Sequence, residues 1–421
     1  MFPTSDRPTF FSLMFALADI MDLVSPRMTK LNRRTAFIAY RLGEEVGLVG
    51  DQMDDLLLAS LLRDIGAFST HDRLNLLNFD PVNPHDHAFN GSNLLSGFMP
   101  LAEVARIIRG HHVWWRSERD TEVGGRQIPL ASHILHLADR IAILIDRERD
   151  VLGRAVHILD AVAGRMGTMF MPDLMPALLR AAQDEYFWMG AVNADFELNS
   201  AGRLNSDLKV EDLETLSCIL ARIVDFRSHY TAAHSAGVAA VGEVLARGLG
   251  FSSRNCRTMR VACHLHDLGK IAVPVEILEK PGSLTADEYR VVQLHPIHTQ
   301  KLLEKVPDLN YGVTWAAQHH ERIDGSGYPS RTKGVKIAFG SRVVAVADLF
   351  TAITEERPHR PPMTKEDSLG MLHGMASLGS LDREVLQAAC QNYEELNHVR
   401  AQAQLESLME YENMVGHVGS A

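Results

Sequence analysis

The chain has 421 residues, a length that favours two or three domains, and its 46% hydrophobic and 23% charged residues are ordinary for a globular protein. A formal net charge of −11 excludes a general binder of nucleic-acid polymers, which needs a basic face. Four cysteines without CxxC spacing argue against a thiolate zinc site. No apolar run reaches the roughly 18 residues of a membrane span, so we expect a cytoplasmic protein without membrane contact.

Apolar residues recur at helical spacing along most of the chain, whereas strand-like alternation is almost absent, which predicts an all-α fold. Helices are expected over residues 10–24, 34–48, 53–65, 100–108, 130–145, 216–224, 235–249 and 257–268. Thr285 with Glu288 is typical of a capping box at a further helix start. Residues 183–208 lose the periodicity and carry several Gly and Asn. We therefore predict a domain at 1–190, a linker at 191–208 and a second domain at 209–421 that includes C-terminal helices.

Side chains that bind divalent metals concentrate between His264 and Pro329. Together with one residue upstream and one downstream, they form a set of His234, His266, Asp267, His295, His319, His320 and Asp348. Imidazole and carboxylate ligands together suit Zn, Fe, Mn or Ni, whereas calcium and magnesium prefer oxygen alone. Seven such groups are more than one tetrahedral ion can use, which predicts two metals.

The first half of the chain repeats this pattern in the same order. Residues 62–66 align with residues 265–269, and His87 aligns with His295. The pair His111-His112 stands where the second half has its pair at 319–320, and 24 residues separate it from the preceding histidine in both halves. Asp139 then aligns with Asp348 in an apolar helix. The first half is thus interpreted as a decayed copy of the second.

The decay is visible at the ligand positions. Arg34 and Arg63 stand where the second half has histidines, and Ala67 stands where it has Lys270. We interpret the first half as a relic that serves packing, dimerisation or sensing. The alternative is that its remaining groups still hold one metal, namely Asp64, His87, His111, His112 and Asp139.

The motifs of the second half resemble the HD-GYP phosphodiesterases of the HD metal-dependent phosphohydrolase superfamily. They are the run from His266 through Asp267 to Lys270, the pair His319-His320, and Gly327-Tyr328-Pro329. The resemblance covers about residues 225–362 strongly and 34–145 weakly. It implies two tandem HD-type helical bundles, of which the C-terminal one, an HD-GYP domain, is catalytic.

The resemblance also implies roles for individual residues. One ion would be held by His234, His266, Asp267 and Asp348, and the other by His295, His319 and His320, with Asp267 bridging the two. The ions would be Fe or Mn, with Ni, Zn or Mg as alternatives. Lys270 would act with Asp267 in catalysis by reaching a phosphate oxygen or assisting the leaving group. The predicted substrate contacts are Arg342, Arg357, Arg360, Gly327, Tyr328, Pro329 and Thr351.

The implied reaction is hydrolysis of cyclic di-GMP to linear pGpG or GMP in bacterial second-messenger signalling. Tyr230 replaces a Glu with which some members bind a third metal, so two metals are expected. Thr351 replaces a common Asp near the substrate, which leaves 3′,3′-cyclic GMP-AMP open as the substrate. Two further functions stay open, an effector that binds the dinucleotide without cutting it and a phosphohydrolase that acts on a different nucleotide. A GGDEF-type or other signalling protein and a second copy of the chain are candidate partners.

Overall fold

A computed structural model of the protein describes residues 10–115, 122–123, 126–146, 150–194, 210–227, 232–304, 309, 311–356 and 361–416. The chain divides into two compact units. One holds the described residues between 10 and 194, and the other holds those between 210 and 416. None of the described helices combines the length and the apolar character needed to cross a membrane.

The described residues of the N-terminal unit form ten α-helices. They are α1 (Phe10–Met21), α2 (Leu31–Val46), α3 (Asp51–Leu62), α4 (Thr70–Asn75), α5 (His85–Ser96), α6 (Ala102–Gly110), α7 (Leu130–Leu144), α8 (Val151–Ala163), α9 (Met175–Ala182) and α10 (Glu185–Asn193). Helix α2 packs on α3 and α7, and α5 packs on α6. The buried face of α2 includes Phe37, Ile38 and Leu42, at the i, i+4 spacing of a core-facing helix. These contacts bring the ends of α3, α5, α6 and α7 together.

The C-terminal unit repeats this helical architecture. Its helices are α11 (Val210–Asp225), α12 (His234–Gly248), α13 (Ser253–Leu265), α14 (Val275–Leu278), α15 (Ala286–Gln293), α16 (His295–Leu303), α17 (Tyr311–Ala317), α18 (Phe339–Thr354), α19 (Lys365–Leu378), α20 (Arg383–Gln391) and α21 (Tyr393–Gly416). Helix α12 packs on α13, α18 and α21. The capping box at α15 is confirmed, because Glu288 N–H donates to Thr285 Oγ1 and Thr285 N–H donates to Glu288 Oε2.

The all-α fold is confirmed, with two differences from the sequence pattern. A short antiparallel pair joins β1 (Glu122–Val123) to β2 (Arg126–Gln127). Helix α10 occupies residues that the pattern assigned to the start of the inter-domain connection. The Asp184 side chain caps α10, and Phe187 and Trp188 are buried within the N-terminal unit, so aromatic burial outweighs the weak helical periodicity.

Candidate metal centre

The C-terminal centre is assembled at a close approach between two helical segments. His266 and Asp267 follow the last turn of α13, and Gly269 comes next to the start of α16. A Cβ at Gly269 would lie 2.0 Å from His295 O, so only glycine allows this contact. Thr299 Oγ1 accepts from Gly269 N–H (2.9 Å) and donates to His266 O (3.1 Å). This junction fixes His266 and Asp267 against His295.

Three of the histidines are oriented by the same backbone contact. The Nδ1 atoms of His266, His295 and His319 lie 2.7, 2.7 and 2.6 Å from the carbonyl oxygens of Cys263, Val292 and Ala316. Nδ1–H is therefore the donor, and each Nε2 is directed into the centre. A metal-ligating histidine is commonly held in this way, because the bond fixes both the tautomer and the ring orientation.

Asp267 connects the two groups of candidate ligands. Its Oδ2 lies 3.2 Å from His266 Nε2, while its Oδ1 lies 3.2 Å from His295 Nε2 and 3.8 Å from His319 Nε2. Oδ1 is buried and has no hydrogen-bond donor among the described residues. A buried carboxylate oxygen without a donor is costly unless a cation meets it. The position of Asp267 therefore fits a bridging metal ligand.

The remaining predicted ligands also converge. Ligand atoms of Asp267 and the three histidines at 295, 319 and 320 all lie within 4.8 Å of one another, as do those of His234, His266 and Asp348. All seven groups that the sequence predicts as ligands thus lie in two adjoining sets. Imidazole and carboxylate donors in this number fit two divalent transition-metal ions.

Carboxylates and imidazoles of the centre shift the pKa of one another. Burial lowers the pKa of His234, but the Glu355 carboxylate and a hydrogen bond with Asp348 outweigh that effect and raise it to about 10. Burial raises the pKa of Asp348, yet the histidines, with His234 first, hold it well below its usual range. Without a metal, protonated imidazoles supply the positive charge that the carboxylates require. The set that contains His295 differs, because burial lowers the pKa of His295 to about 3. This imidazole is therefore neutral, as a metal ligand must be.

A second layer of polar contacts supports His234. Glu355 Oε1 and Oε2 each lie 3.1 Å from His234 Nδ1, and His234 Nε2 lies 3.2 Å from Asp348 Oδ1. Gln404 Nε2 donates to Glu355 Oε2 (2.9 Å). Glu355 was not among the predicted site residues, although its position seven residues after Asp348 places both on one face of α18 or its immediate extension. That spacing, beside a predicted ligand, was the available signal.

The predicted substrate loop lies against the centre. The ring centroid of Tyr328 lies 4.7 Å from that of His320 and 6.4 Å from that of His295. The Tyr328–Pro329 peptide bond is cis. Buried Glu321 holds the loop, since Oε1 accepts from Ser330 N–H (2.7 Å) and Oε2 from Thr332 N–H (2.9 Å). A Cβ at Gly327 would lie 2.4 Å from His320 O. The Gly-Tyr-Pro segment is therefore built as a wall of the centre.

Lys270 faces the same carboxylate as the ligand histidines. Its Nζ donates to Asp267 Oδ2 (2.5 Å), and a quarter of the side chain is exposed. Burial lowers the pKa of Lys270, but the Asp267 carboxylate outweighs this and raises it. The lysine is thus a cation at the edge of the centre with access to solvent.

The other predicted substrate contacts differ in their positions. Arg342 is held by three acceptors, Asp382 Oδ2 (2.9 Å), Ile337 O (3.0 Å) and Gly334 O (3.2 Å), which give its guanidinium a structural partner set. Thr351 is fully buried on α18. Both positions argue against direct contact with a substrate. Arg357, Arg360 and Tyr230 lie outside the described residues.

The N-terminal unit keeps the scaffold of this centre with altered charges. A Cβ at Gly66 would lie 2.2 Å from His87 O, which reproduces the approach of Gly269 to His295. Arg63, however, replaces a ligand histidine, and its Nε donates to Asp139 Oδ1 (2.7 Å). Arg63 Nη2 lies 3.1 Å from Asp64 Oδ2. A guanidinium thus stands between the two carboxylates that match Asp267 and Asp348.

Arg34 does not enter this cluster. Its guanidinium donates to the carbonyl oxygens of Ala142 (3.1 Å), Ile145 (3.0 Å) and Ala191 (3.2 Å). Since Ala191 belongs to α10, this contact ties the last helix of the unit to α2 and to the end of α7. The position that corresponds to His234 has therefore become structural.

Comparisons with known proteins agree with this architecture. Two HD-domain family models match, one over residues 216–385 and one over residues 33–144. The chain is 30% identical over 390 residues to 3′3′-cGAMP-specific phosphodiesterase 1 of Vibrio cholerae, covering 90% of each chain. It is 38% identical over 170 residues to a cyclic di-GMP phosphodiesterase response regulator of Xanthomonas campestris, covering 40% of this chain and 45% of that protein.

A solved structure shares the fold across both units. The crystal structure of a cyclic GMP-AMP-specific phosphodiesterase from Vibrio cholerae matches with a TM-score of 0.60 at 23% identity, covering 91% of this chain and 98% of that one. The tandem helical bundles, the converging ligand sets and the full-length relative lead to one conclusion. The chain belongs to the HD-domain family of cyclic-dinucleotide phosphodiesterases.

Proposed function

We propose that the C-terminal unit hydrolyses a phosphodiester bond of a cyclic dinucleotide, with Asp267 at the centre of a dinuclear metal site. The observation that carries this proposal is the buried Oδ1 of Asp267, which faces two histidines and has no hydrogen-bond donor among the described residues. The two carboxylates and five imidazoles of the site are suited to hold two ions of iron or manganese, with nickel, zinc or magnesium as alternatives.

The ions, when bound, supply charge neutralisation at the phosphodiester and lower the pKa of water. The residues of the chain supply position and charge. Lys270 is placed to exchange its contact with Asp267 for a phosphate oxygen, where its ammonium stabilises charge as the P–O bond breaks. The Tyr328 ring, which packs near His320, supplies an apolar wall for the ligand. Glu321 keeps that wall in place through two backbone N–H groups.

Cyclic di-GMP is the substrate that the sequence predicts, and several relatives carry that activity in their names. A second candidate, 3′,3′-cyclic GMP-AMP, is favoured by the relatives that align over both units, since two of them are named as specific for it. The burial of the Thr351 side chain disfavours this residue as the one that separates the two nucleotides. Arg357 and Arg360 stay predicted phosphate contacts. The expected product is the linear dinucleotide or, after a second cut, mononucleotides.

We further propose action in cytoplasmic second-messenger signalling, with a GGDEF-type or other signalling protein as a partner and a homodimer as the assembly. The net charge of −11 disfavours a nucleic-acid polymer as the partner. Size-exclusion chromatography with light scattering tests the homodimer directly. A monomer at micromolar concentration contradicts that part of the proposal.

The test of the activity uses purified full-length protein with Mn²⁺ or anaerobic Fe²⁺ and both cyclic dinucleotides, with products separated by chromatography. We expect turnover of at least one substrate by the wild type and none by Asp267→Ala. The control Asp287→Ala, at an exposed residue of α15, should match the wild type. Binding of a dinucleotide without cleavage by metal-loaded protein would establish an effector instead. If the metal-loaded protein neither binds nor cleaves either compound, the proposed substrate class is contradicted.

A further inference from the structure

Three histidines of the N-terminal unit form a buried group to which the mechanism above gives no role. This N-terminal histidine group consists of His87, His111 and His112, which are 5%, 0% and 1% exposed. Each offers one ring nitrogen, and these atoms lie within 4.8 Å of one another. Three buried imidazoles that converge to this degree are a common arrangement for a transition-metal ion.

The group has nearly the geometry of its counterpart in the C-terminal unit. The ring centroid of the first histidine, His87, lies 5.2 and 5.0 Å from the centroids of His111 and His112. The corresponding distances from His295 to the histidine pair of the C-terminal unit are 5.3 and 5.0 Å. Within the adjacent histidine pair, the ring centroids are 4.1 Å apart in the N-terminal unit and 4.0 Å apart in the C-terminal unit. In both units a glycine approaches the backbone carbonyl of the first histidine. The decay of the repeat has therefore left one half of the original centre intact.

The ring nitrogens are also directed for ligation. His111 Nδ1–H donates to Ile108 O (2.6 Å), which leaves Nε2 as an acceptor 3.4 Å from His87 Nε2. His112 Nε2 is buried and finds no hydrogen-bond partner in the part of the chain that the structure describes. A buried imidazole nitrogen without a partner is costly, and a metal ion would relieve that cost.

Arg63 explains why the other half of the centre is lost. Its guanidinium reaches Asp139 Oδ1 (2.7 Å) and Asp64 Oδ2 (3.1 Å), the carboxylates that match those of the other ion in the C-terminal unit. A fixed positive charge there excludes a cation. Asp64 Oδ1, by contrast, lies 3.7 Å from His87 Nε2, so this oxygen faces the histidines. The carboxylate is thus shared between Arg63 and the histidine group.

We propose that the N-terminal histidine group binds one late first-row divalent ion, such as Zn²⁺, while Arg63 replaces a second ion. Because the three ligands are buried, we expect the ion not to meet a substrate. The full chain then carries one ion in its N-terminal unit in addition to those of the C-terminal centre. The proposal does not depend on the activity of that centre.

The test measures bound metal directly. Full-length protein is stripped with a chelator, reloaded with Zn²⁺, dialysed, and analysed for zinc by mass spectrometry. We expect His111→Gln to bind one equivalent less per chain than the wild type. The matched control His157→Gln, at an exposed residue of α8, should retain the wild-type content. Far-UV circular dichroism verifies that each variant is folded, and His87→Gln replaces His111→Gln if the latter unfolds.

A second readout identifies the ligands. Titration of the apo protein with Co²⁺ should give visible d–d absorption. In the histidine variant, this absorption should saturate at one equivalent of Co²⁺ per chain less than in the wild type. A loss of one zinc equivalent and of that absorption supports the proposal. Equal zinc content in the wild type and in a folded His111→Gln or His87→Gln protein overturns it, whatever the C-terminal centre binds. In that case His87 donates to His111 as an ordinary buried hydrogen bond.

Discussion

The two units of this chain share one scaffold and differ in the charges placed on it. In both, a glycine approaches a histidine carbonyl so closely that no side chain fits, and a histidine pair follows 24 residues later. In the C-terminal unit, His266 and His234 face the carboxylates. In the N-terminal unit, Arg63 takes the place of His266 and forms ion pairs with Asp64 and Asp139. The comparison teaches that one buried side chain decides whether two carboxylates face imidazoles that could share a metal ion with them or a guanidinium that pairs with them directly.

The largest expected effect is on turnover in the C-terminal unit. Asp348→Asn removes the carboxylate that His234 and His266 face. We expect a fall in turnover of about 10²–10³-fold, the range for losing one charge-stabilising group. Steady-state rates measure it, and zinc or manganese content reports the loss of ligation. The control Asp287→Asn should retain the wild-type rate. A turnover within tenfold of the wild type would remove Asp348 from the ligand set.

The matching residue of the N-terminal unit should act on stability. Asp139 accepts from Arg63 (2.7 Å) and from Arg140 Nε (3.1 Å), and all three side chains are buried. Asp139→Asn removes the carboxylate that both guanidinium groups share and leaves Arg63 with Asp64 alone, and breaking a buried ion pair in this way costs about 3–5 kcal/mol. Urea unfolding measures this free energy, with exposed Asp160→Asn as the control. A change below about 1 kcal/mol contradicts the charge replacement described for this unit.

The shared scaffold itself can be tested with one substitution in each unit. Gly66→Ala and Gly269→Ala each place a Cβ about 2 Å from a histidine carbonyl oxygen. We expect each to destabilise its own unit by about 1–3 kcal/mol or more, the cost of overpacking. Gly97→Ala and Gly370→Ala have open space around the new Cβ and serve as controls. If either scaffold variant unfolds at the same urea concentration as its control, the close approach is not required.

The smallest expected effect is a loss of metal affinity when the carboxylate beside His234 is replaced. Glu355→Gln keeps the shape of the side chain but removes the charge beside His234 Nδ1. Losing a partner of this kind costs about 10–100-fold in metal affinity. Competition with a colorimetric chelator measures the dissociation constant, and Glu356→Gln, at the exposed next residue, is the control. Equal affinities for the two variants would assign Glu355 a structural role alone.

Much of the fold and of the ligand set could be predicted because the information is local. Helical periodicity indicates the helices, and His266 with Asp267, or His319 with His320, are adjacent in the sequence. The contacts of Arg342 could not be predicted, since its partner Asp382 lies 40 residues away on another helix. The same holds for Gln404, which reaches Glu355 from α21. Long-range polar contacts depend on packing that no single stretch of sequence records.

The aromatic segment of α10 shows the opposite limit. Gly190 and Asn193 weaken the helical pattern, yet Phe187 packs on Phe37 with ring centres 6.5 Å apart. The contact also requires a glycine at position 190, because a Cβ on Gly190 would lie 2.3 Å from the Phe37 ring. Burial against a distant helix therefore decides the structure of this segment. Local propensity alone predicts a loop.

The most direct test copies the N-terminal charge pattern into the catalytic unit. His266→Arg places a guanidinium beside Asp267 and Asp348, as Arg63 stands beside Asp64 and Asp139. We predict a folded protein that has lost measurable hydrolysis of both cyclic dinucleotides in a single-turnover assay and binds one metal ion fewer than the wild type. Single-turnover hydrolysis at the wild-type rate by the folded variant would contradict the assignment of catalysis to this metal centre.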